Sequence, residues 1–229
     1  MIELKSVTKT YGRKKVLNNV SFTAEKGRIT CLIGINGVGK STVMKAIMNL
    51  TPIQSGHILV DGQPVGKSTY EKVAFIPDTI TMPPQMKIGE ALTFMKDFYS
   101  AWNEQRAEEL LKFFRLNRTD RIANLSKGNA AKANMLLGLA LDVDYLLMDE
   151  PFSGIDMFSR EQIADVFTSH LVEDRGVLLT THEIHDVEHL IDKAVLLDHG
   201  AVLKEFDTEE LRESEGKSVV DVMREVYRG

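Results

Sequence analysis

The sequence predicts an α/β fold with a ligand site at strand ends, and three features predict it. First, Ile29, Thr30, Cys31, Leu32 and Ile33 form an apolar, β-branched run that reads as a buried strand. It leads through the glycine-rich stretch Gly34–Thr42 into Val43, Met44, Ile47 and Met48, which recur at helical spacing. Second, Tyr145–Met148 is a short apolar run that ends on Asp149-Glu150. A strand there delivers carboxylates at its C-terminal end, where α/β sheets hold their ligands. Third, a stretch of helical texture, from Asp78 to Val143, interrupts the strands.

The stretch Gly34-Ile35-Asn36-Gly37-Val38-Gly39-Lys40-Ser41-Thr42 fits G-x-x-x-x-G-K-[ST], the phosphate-binding loop. Strand before and helix after are the context this motif needs. Glycines let the backbone bend and bring its N–H groups against phosphate oxygens, and the helix N-terminus adds positive potential at the same point. Lys40 is expected to reach the β- and γ-phosphates and the Ser41 hydroxyl to ligate Mg²⁺. A chance glycine-rich turn would not need both flanking elements.

Elsewhere the chain is unexceptional. Its 229 residues allow one domain, with or without a subdomain, and 43% apolar residues are enough for a core. A net charge of −5 argues against a dedicated nucleic-acid binder. The single cysteine, Cys31, lies in the strand before the loop and reads as a small core residue, which suits a reducing compartment. No stretch approaches the length of a membrane span and the N-terminus does not read as a signal peptide, so the chain is expected to be soluble by itself and free to dock on a membrane partner.

Residues 2–10 and 16–24 read as strands around a turn at Gly12, and Glu25-Lys26-Gly27 as a further turn. Tyr11 stands before the Gly12 turn, where an aromatic ring either stacks on a nucleotide base or simply packs the turn. Gly56–Val60 and Val73–Ile76 read as strands, with Asp61-Gly62 as a hairpin signal. Past Pro77, helical patterns at about 88–99 and 103–115 carry Phe94, Phe98, Tyr99, Trp102, Phe113 and Phe114. Such a piece is a subdomain with its own core, or carries an apolar groove for a partner helix; for any one of these rings, core packing is the plainer expectation.

Two further sites carry chemistry. An acid at Asp149 suits Mg²⁺, because hard cations take oxygen ligands, and Glu150 is placed to polarise an attacking water. Leu125-Ser126-Lys127-Gly128-Asn129 precedes a helical pattern through Ala133, Leu136, Leu137 and Ala140. Ser126 reads as its N-cap and Gly128 permits close backbone approach, so this is a second anion site or an ordinary capped helix.

Taken in order, these motifs resemble those of the ATP-binding subunits of ATP-binding-cassette (ABC) transporters. Gly34–Thr42 is similar to the Walker A loop, Leu125–Asn129 to the family signature, Leu146–Glu150 to Walker B and Ser153-Gly154-Ile155-Asp156 to the D-loop. His182, after Thr180-Thr181, sits where the family has its switch histidine, and Tyr11 where it has a base-stacking aromatic. The resemblance covers residues 1 to about 206. It is strongest to single-domain subunits of bacterial ABC-2-type exporters, including those that export peptides.

The resemblance implies a P-loop NTPase of ABC type: a RecA-like core sheet, an antiparallel β subdomain and an inserted α-helical subdomain. Residues 1–77 and 144–206 would form the catalytic core with the β subdomain, 78–143 the helical subdomain with the signature, and 207–229 a C-terminal helical tail. It implies two ATP-binding subunits paired head to tail. ATP would be bound by Tyr11, Gly34, Asn36, Gly37, Gly39, Lys40, Ser41 and Thr42 of one and by Ser126, Gly128, Asn129 and Asp156 of the other. Glu150 would act as general base, His182 would contact the γ-phosphate, and Ser41, Asp149 and Asp78 would hold Mg²⁺ directly or through water. A separate membrane-spanning permease would be driven at the cytoplasmic face of the membrane, with the aromatic helices receiving its coupling helix. The cargo implied is a peptide or other amphipathic molecule, of the kind of the modulin-type toxins of Gram-positive bacteria.

There are departures. The family signature commonly reads Leu-Ser-Gly-Gly-Gln, whereas Lys127 replaces one glycine here and Asn129 the glutamine. Ile76-Pro77-Asp78 puts an aspartate where the family usually has glutamine. Other classes fit less well. A GTP switch would need an Asn-Lys-x-Asp motif, a chromosome-type cassette a long coiled coil, and a translation-associated protein usually two cassettes.

Overall fold

The computed structural model describes residues 1–172, 174–182 and 184–228, apart from the side chains of Asp186 and Arg228. The first half runs β1 (Ile2–Tyr11), β2 (Lys14–Ala24), β3 (Ile29–Ile33), α1 (Lys40–Ile47), β4 (Ser55–Val60), β5 (Gln63–Pro64), the single-turn α2 (Thr69–Lys72) and β6 (Val73–Ile76). Three helices follow: α3 (Ile88–Phe98), α4 (Glu104–Phe113) and α5 (Lys127–Leu139). The rest is β7 (Tyr145–Asp149), α6 (Met157–Phe167), β8 (Gly176–Thr181), β9 (Lys193–Asp198), β10 (Ala201–Asp207), α7 (Thr208–Glu215) and α8 (Val219–Arg228).

Two sheets result. The smaller, β2-β1-β4-β5, is antiparallel throughout. The larger has the order β10-β9-β3-β8-β7-β6, and only the edge strand β10 runs against its neighbour. Its inner strands are buried on both faces, which is why they read as unbroken apolar runs rather than alternating ones. Period-two alternation then divides each strand between two cores. Cys31, Ile33, Leu146, Met148, Val177 and Leu179 point to the core shared with α5 and α6. Leu32, Tyr145, Leu147, Leu178, Val195 and Leu197 point to the core shared with α1 and the smaller sheet. Cys31 is fully buried, as expected of a core residue, and burial pushes its thiol well above the usual range.

The helical segment joins the first of these cores. Gly138 of α5 leaves a hole that the Ile76 side chain fills, so closely that a Cβ at 138 would overlap Ile76 Cγ1 and Cδ1. One turn earlier Asn134 Nδ2 donates to Pro77 O (2.6 Å). The aromatic residues divide. Phe114 is fully buried, Tyr99, Trp102 and Phe113 are partly buried against the core, and Phe94 and Phe98 are exposed and stacked with ring centres 5.6 Å apart. Among the described residues no helix is long and apolar enough to cross a membrane.

Candidate active site

Four adjacent parallel strands deliver the candidate residues from their C-terminal ends. β3 ends at Ile33 and turns into the Gly34–Gly39 loop, β8 ends before His182, β7 ends in Asp149-Glu150, and β6 is followed by Asp78. Register brings the ends level: Ile33 pairs with Thr181, Asp149 with Thr180, and Ile76 with Met148. The residues meet in a cleft of about 400 Å³ lined by Asn36, Gly37, Gly39, Lys40, Ser41, Thr42, Asp78, Glu150 and His182.

The floor of the cleft is a helix N-terminus. α1 has neither a side-chain cap nor an acid in its first turn. The first N–H groups of a helix lack intrahelical partners, so an anion is their natural complement. Lys40 is buried; its Nζ donates to Gly34 O (2.6 Å) and lies 3.0 Å from Glu150 Oε1. That ammonium aims at the Gly34 carbonyl, and Glu150 Oε1 is left without a well-aligned hydrogen bond. Glu150 Oε2 lies 2.7 Å from His182 Nδ1. Glu150 itself has φ +47°, an uncommon conformation for a residue other than glycine.

Thr180, which sequence reasoning quoted only as a neighbour of His182, holds the two acids. Its buried Oγ1 donates to Asp149 Oδ1 (2.6 Å) and accepts from Glu150 N (2.9 Å). The available signal was a threonine pair at the end of an apolar strand, where a buried hydroxyl needs partners. Ser41, Asp149 and Asp78 offer only oxygen donors, and among the described residues no group of three or more His, Cys, Asp or Glu is suited to a metal. Ser41 and Asp78 line the cleft with oxygen donors of the kind Mg²⁺ takes alongside water and phosphate, whereas the buried Asp149 is not among the lining residues.

The remaining expected site residues lie elsewhere. Tyr11 is about half exposed, with its hydroxyl 3.0 Å from Thr51 Oγ1 and Lys9 Nζ 4.6 Å from its ring centre. Ser126 caps α5, accepting from Asn129 N (3.2 Å). Asp156 caps α6; hydrogen bonds from the Ser159 hydroxyl and N–H hold its carboxyl below the usual range. Gly128 packs against this cap. None of Tyr11, Ser126, Gly128, Asn129 and Asp156 lines the Lys40 cleft, whereas Lys127 does, its ammonium lying over Gly154.

A glycine-rich loop opening a helix, with an acid pair at the end of a parallel strand one removed in the same sheet, defines the class of P-loop nucleotide hydrolases. The ABC transporter family matches residues 17–153. Over 211 residues the chain is 32% identical to the linearmycin resistance ATP-binding protein LnrL of Bacillus subtilis (strain 168), spanning 89% of this chain and 68% of that one. It is 30% identical to the Nod factor export ATP-binding protein I of Rhizobium sp. (strain N33), over 96% of this chain and 76% of the other. It is also 30% identical to the petrobactin import ATP-binding protein YclP of B. subtilis (strain 168), over 99% and 92%. A solved ATP-binding subunit of an ABC transporter superposes with a TM-score of 0.87 at 27% identity, covering 99% of both chains. The chain belongs to the ABC transporter family: it is an ATP-binding subunit and an ATPase.

Proposed function

We propose that this subunit powers export of a peptide or other amphipathic molecule through a separate permease, docked at the cytoplasmic face of the membrane. The observation that carries the catalytic part is the convergence of Lys40, Ser41, Asp78, Glu150 and His182 on one cleft, with Ser126 and Asn129 outside it. Ser126 and Asn129 border the cleft only through Lys127 between them, and on the family resemblance they serve the site of another ATP-binding subunit paired head to tail. On this reading Gly34, Asn36, Gly37, Gly39, Lys40, Ser41, Thr42 and Tyr11 bind ATP from one side, and Ser126, Gly128, Asn129 and Asp156 from the other.

Ser41, Asp149 and Asp78 would hold Mg²⁺, directly or through water, and the ion would supply charge neutralisation at the phosphates. Lys40 leaves Glu150 for the phosphates, and Glu150 is then free to take a proton from the attacking water. The new P–O bond forms at the γ-phosphorus, the bond to the bridging oxygen breaks, and ADP and phosphate leave. His182, beside Glu150, positions the carboxylate and the γ-phosphate. Phosphoryl transfer asks for little beyond such positioning and charge stabilisation.

Residues 1–77 and 144–206 act on this reading as the catalytic core with its β subdomain, 78–143 as the helical subdomain, and 207–229 as a tail. An apolar groove of about 450 Å³ between core and helices receives the permease, lined in part by Leu50, Tyr70, Met86, Phe94, Met95 and Tyr99. The Nod factor relative's name states export and the petrobactin relative's, at the same identity, states import; the export reading rests on the resemblance of the motifs to ABC-2-type exporters. The test is to identify the membrane subunit that copurifies with this chain from its source membranes, then to measure ATP turnover of the complex in proteoliposomes loaded with amphipathic peptides. Copurification with stimulated turnover and peptide movement is expected. Association with nucleic acid instead, or turnover indifferent to permease and peptide, would overturn the reading.

A further inference from the structure

The C-terminal helix reaches the ends of β3 and β9, next to the start of the phosphate loop. In α8, Val219 and Val222 are fully buried, while Val220, Met223, Val226 and Tyr227 pack partly buried on the same core. Its first residue is tied to the segment that follows His182, where Val219 N donates to Glu188 Oε1 (2.6 Å). At the other end the Tyr227 hydroxyl lies 3.1 Å from Leu197 O and 3.3 Å from Ile33 O. Burial raises this phenol to about 12, so at neutral pH it carries its proton and donates.

Those two carbonyls belong to the neighbouring strands β9 and β3, close to where the phosphate loop departs. Ile33 is the residue before Gly34. Leu197 O forms the wall against which Gly34 rests, since a Cβ on Gly34 would come within 2.5 Å of it. One hydroxyl, its single proton shared between the two carbonyls and nearer Leu197 O, therefore bridges both edges of the ledge that carries the loop's first residue. Lys40 Nζ donates to the carbonyl of that same Gly34, so a shift of the ledge moves the lysine's anchor.

We propose that Tyr227 is a positioning residue for the phosphate loop, with α8 a strap between that loop's floor and the segment after His182. The proposal rests on the nucleotide-site reading above. It assigns a role to the C-terminal helix, for which the sequence motifs offer none.

The experiment compares Tyr227→Phe and Tyr227→Ala with the wild type in the full chain, reading the Kd and KM for MgATP, kcat and thermal melting. Tyr227→Phe keeps the ring and its packing and removes only the donor. Loss of one hydrogen bond at the ledge is expected to raise Kd and KM about three- to tenfold, falling on KM rather than kcat, with melting lowered by less than in Tyr227→Ala. Tyr227→Ala should raise Kd at least as much, and should also lower melting through lost packing. A Tyr227→Phe Kd within about twofold of wild type overturns the proposal, as does an effect seen with Tyr227→Ala alone. A Lys40→Ala control separates the two levels of inference. If it abolishes nucleotide binding while Tyr227→Phe changes nothing, only the strap fails; if binding survives Lys40→Ala, the site reading fails.

Discussion

Lys40 Nζ and Glu150 Oε1 stand 3.0 Å apart, with both side chains largely out of solvent. Without nucleotide, each is the other's charge partner. Glu150→Gln should therefore do two things. Hydrolysis should fall by about a hundredfold or more, because an amide is a poor base. The nucleotide-free protein should also lose stability, because removing one member of a buried pair leaves the other charge uncompensated. ATP phosphates replace the missing partner, so the rise in melting temperature on adding MgATP should be larger in the variant than in the wild type. Phosphate release and thermal melting with and without MgATP check this; near-normal turnover would remove Glu150 as the base.

Thr180 makes a second, sharper prediction. Valine has nearly its shape but no hydroxyl. Thr180→Val leaves the Glu150 N–H and the buried Asp149 carboxylate each short of a partner. A cost of about 2 kcal/mol or more is expected in chemical denaturation, with a fall in ATP turnover, while Thr180→Ser should recover much of both. A Thr180→Val variant within about 0.5 kcal/mol of wild type would mean that the hydroxyl is dispensable.

Phe98 and Phe114 belong to the same helical segment yet should respond oppositely. Phe98 is 70% exposed and Phe114 1%. Phe114→Ala is expected to cost about 3–5 kcal/mol. Phe98→Ala should stay within about 0.5 kcal/mol of wild type and instead weaken capture of the permease. Denaturation and pull-down, measured on the same preparations, test the pair; unchanged pull-down with Phe98→Ala would mean that the ring stacked on Phe94 beside the groove takes no part in docking.

Asp61 links the two sheets and makes the stability depend on pH. Burial pushes its carboxyl upward, but the Met1 ammonium (2.7 Å), the Tyr145 hydroxyl (2.6 Å) and Lys72 (2.9 Å) outweigh this and hold it well below its ordinary value of 3.8. A carboxyl depressed in the folded state stabilises above its unfolded value, and that stabilisation is lost as pH falls below it. Asp61→Asn should thus be less stable than wild type at pH 7, and the gap should close as pH falls below 3.8. Denaturation across pH 2–7 (roughly the range where carboxylates titrate) checks it, and a gap that is constant with pH would sink the idea.

Much of the fold was legible because the signals are local. The strand at 29–33 and the strand at 73–76 lie where their apolar runs place them, and Gly12, Gly27 and Gly62 take the positive φ angles that their turns ask for. Ser126 was readable as a cap because capping depends on the next three residues. Partnerships set by tertiary packing were not readable. No spacing rule joins Thr180 to Asp149 or Tyr227 to Leu197, since β7 and β8 pair, and α8 meets β9, only in the folded protein. Composition likewise treats six aromatic residues alike, and only the packing of α3, α4 and α5 decides that Phe114 faces inward and Phe98 outward.

The Ile76 side chain seated in the hole at Gly138 limits how the helical segment can travel. A helix resting on a layer of side chains can slide by small shear steps, but a peg in a hole blocks translation and leaves rotation about itself. Asn134, gripping Pro77 O from the same face of α5, sits one turn from that peg. Both contacts fasten α5 to the Ile76-Pro77 corner, next to Asp78, and Phe94 borders the same groove as Gly138 and Asn134.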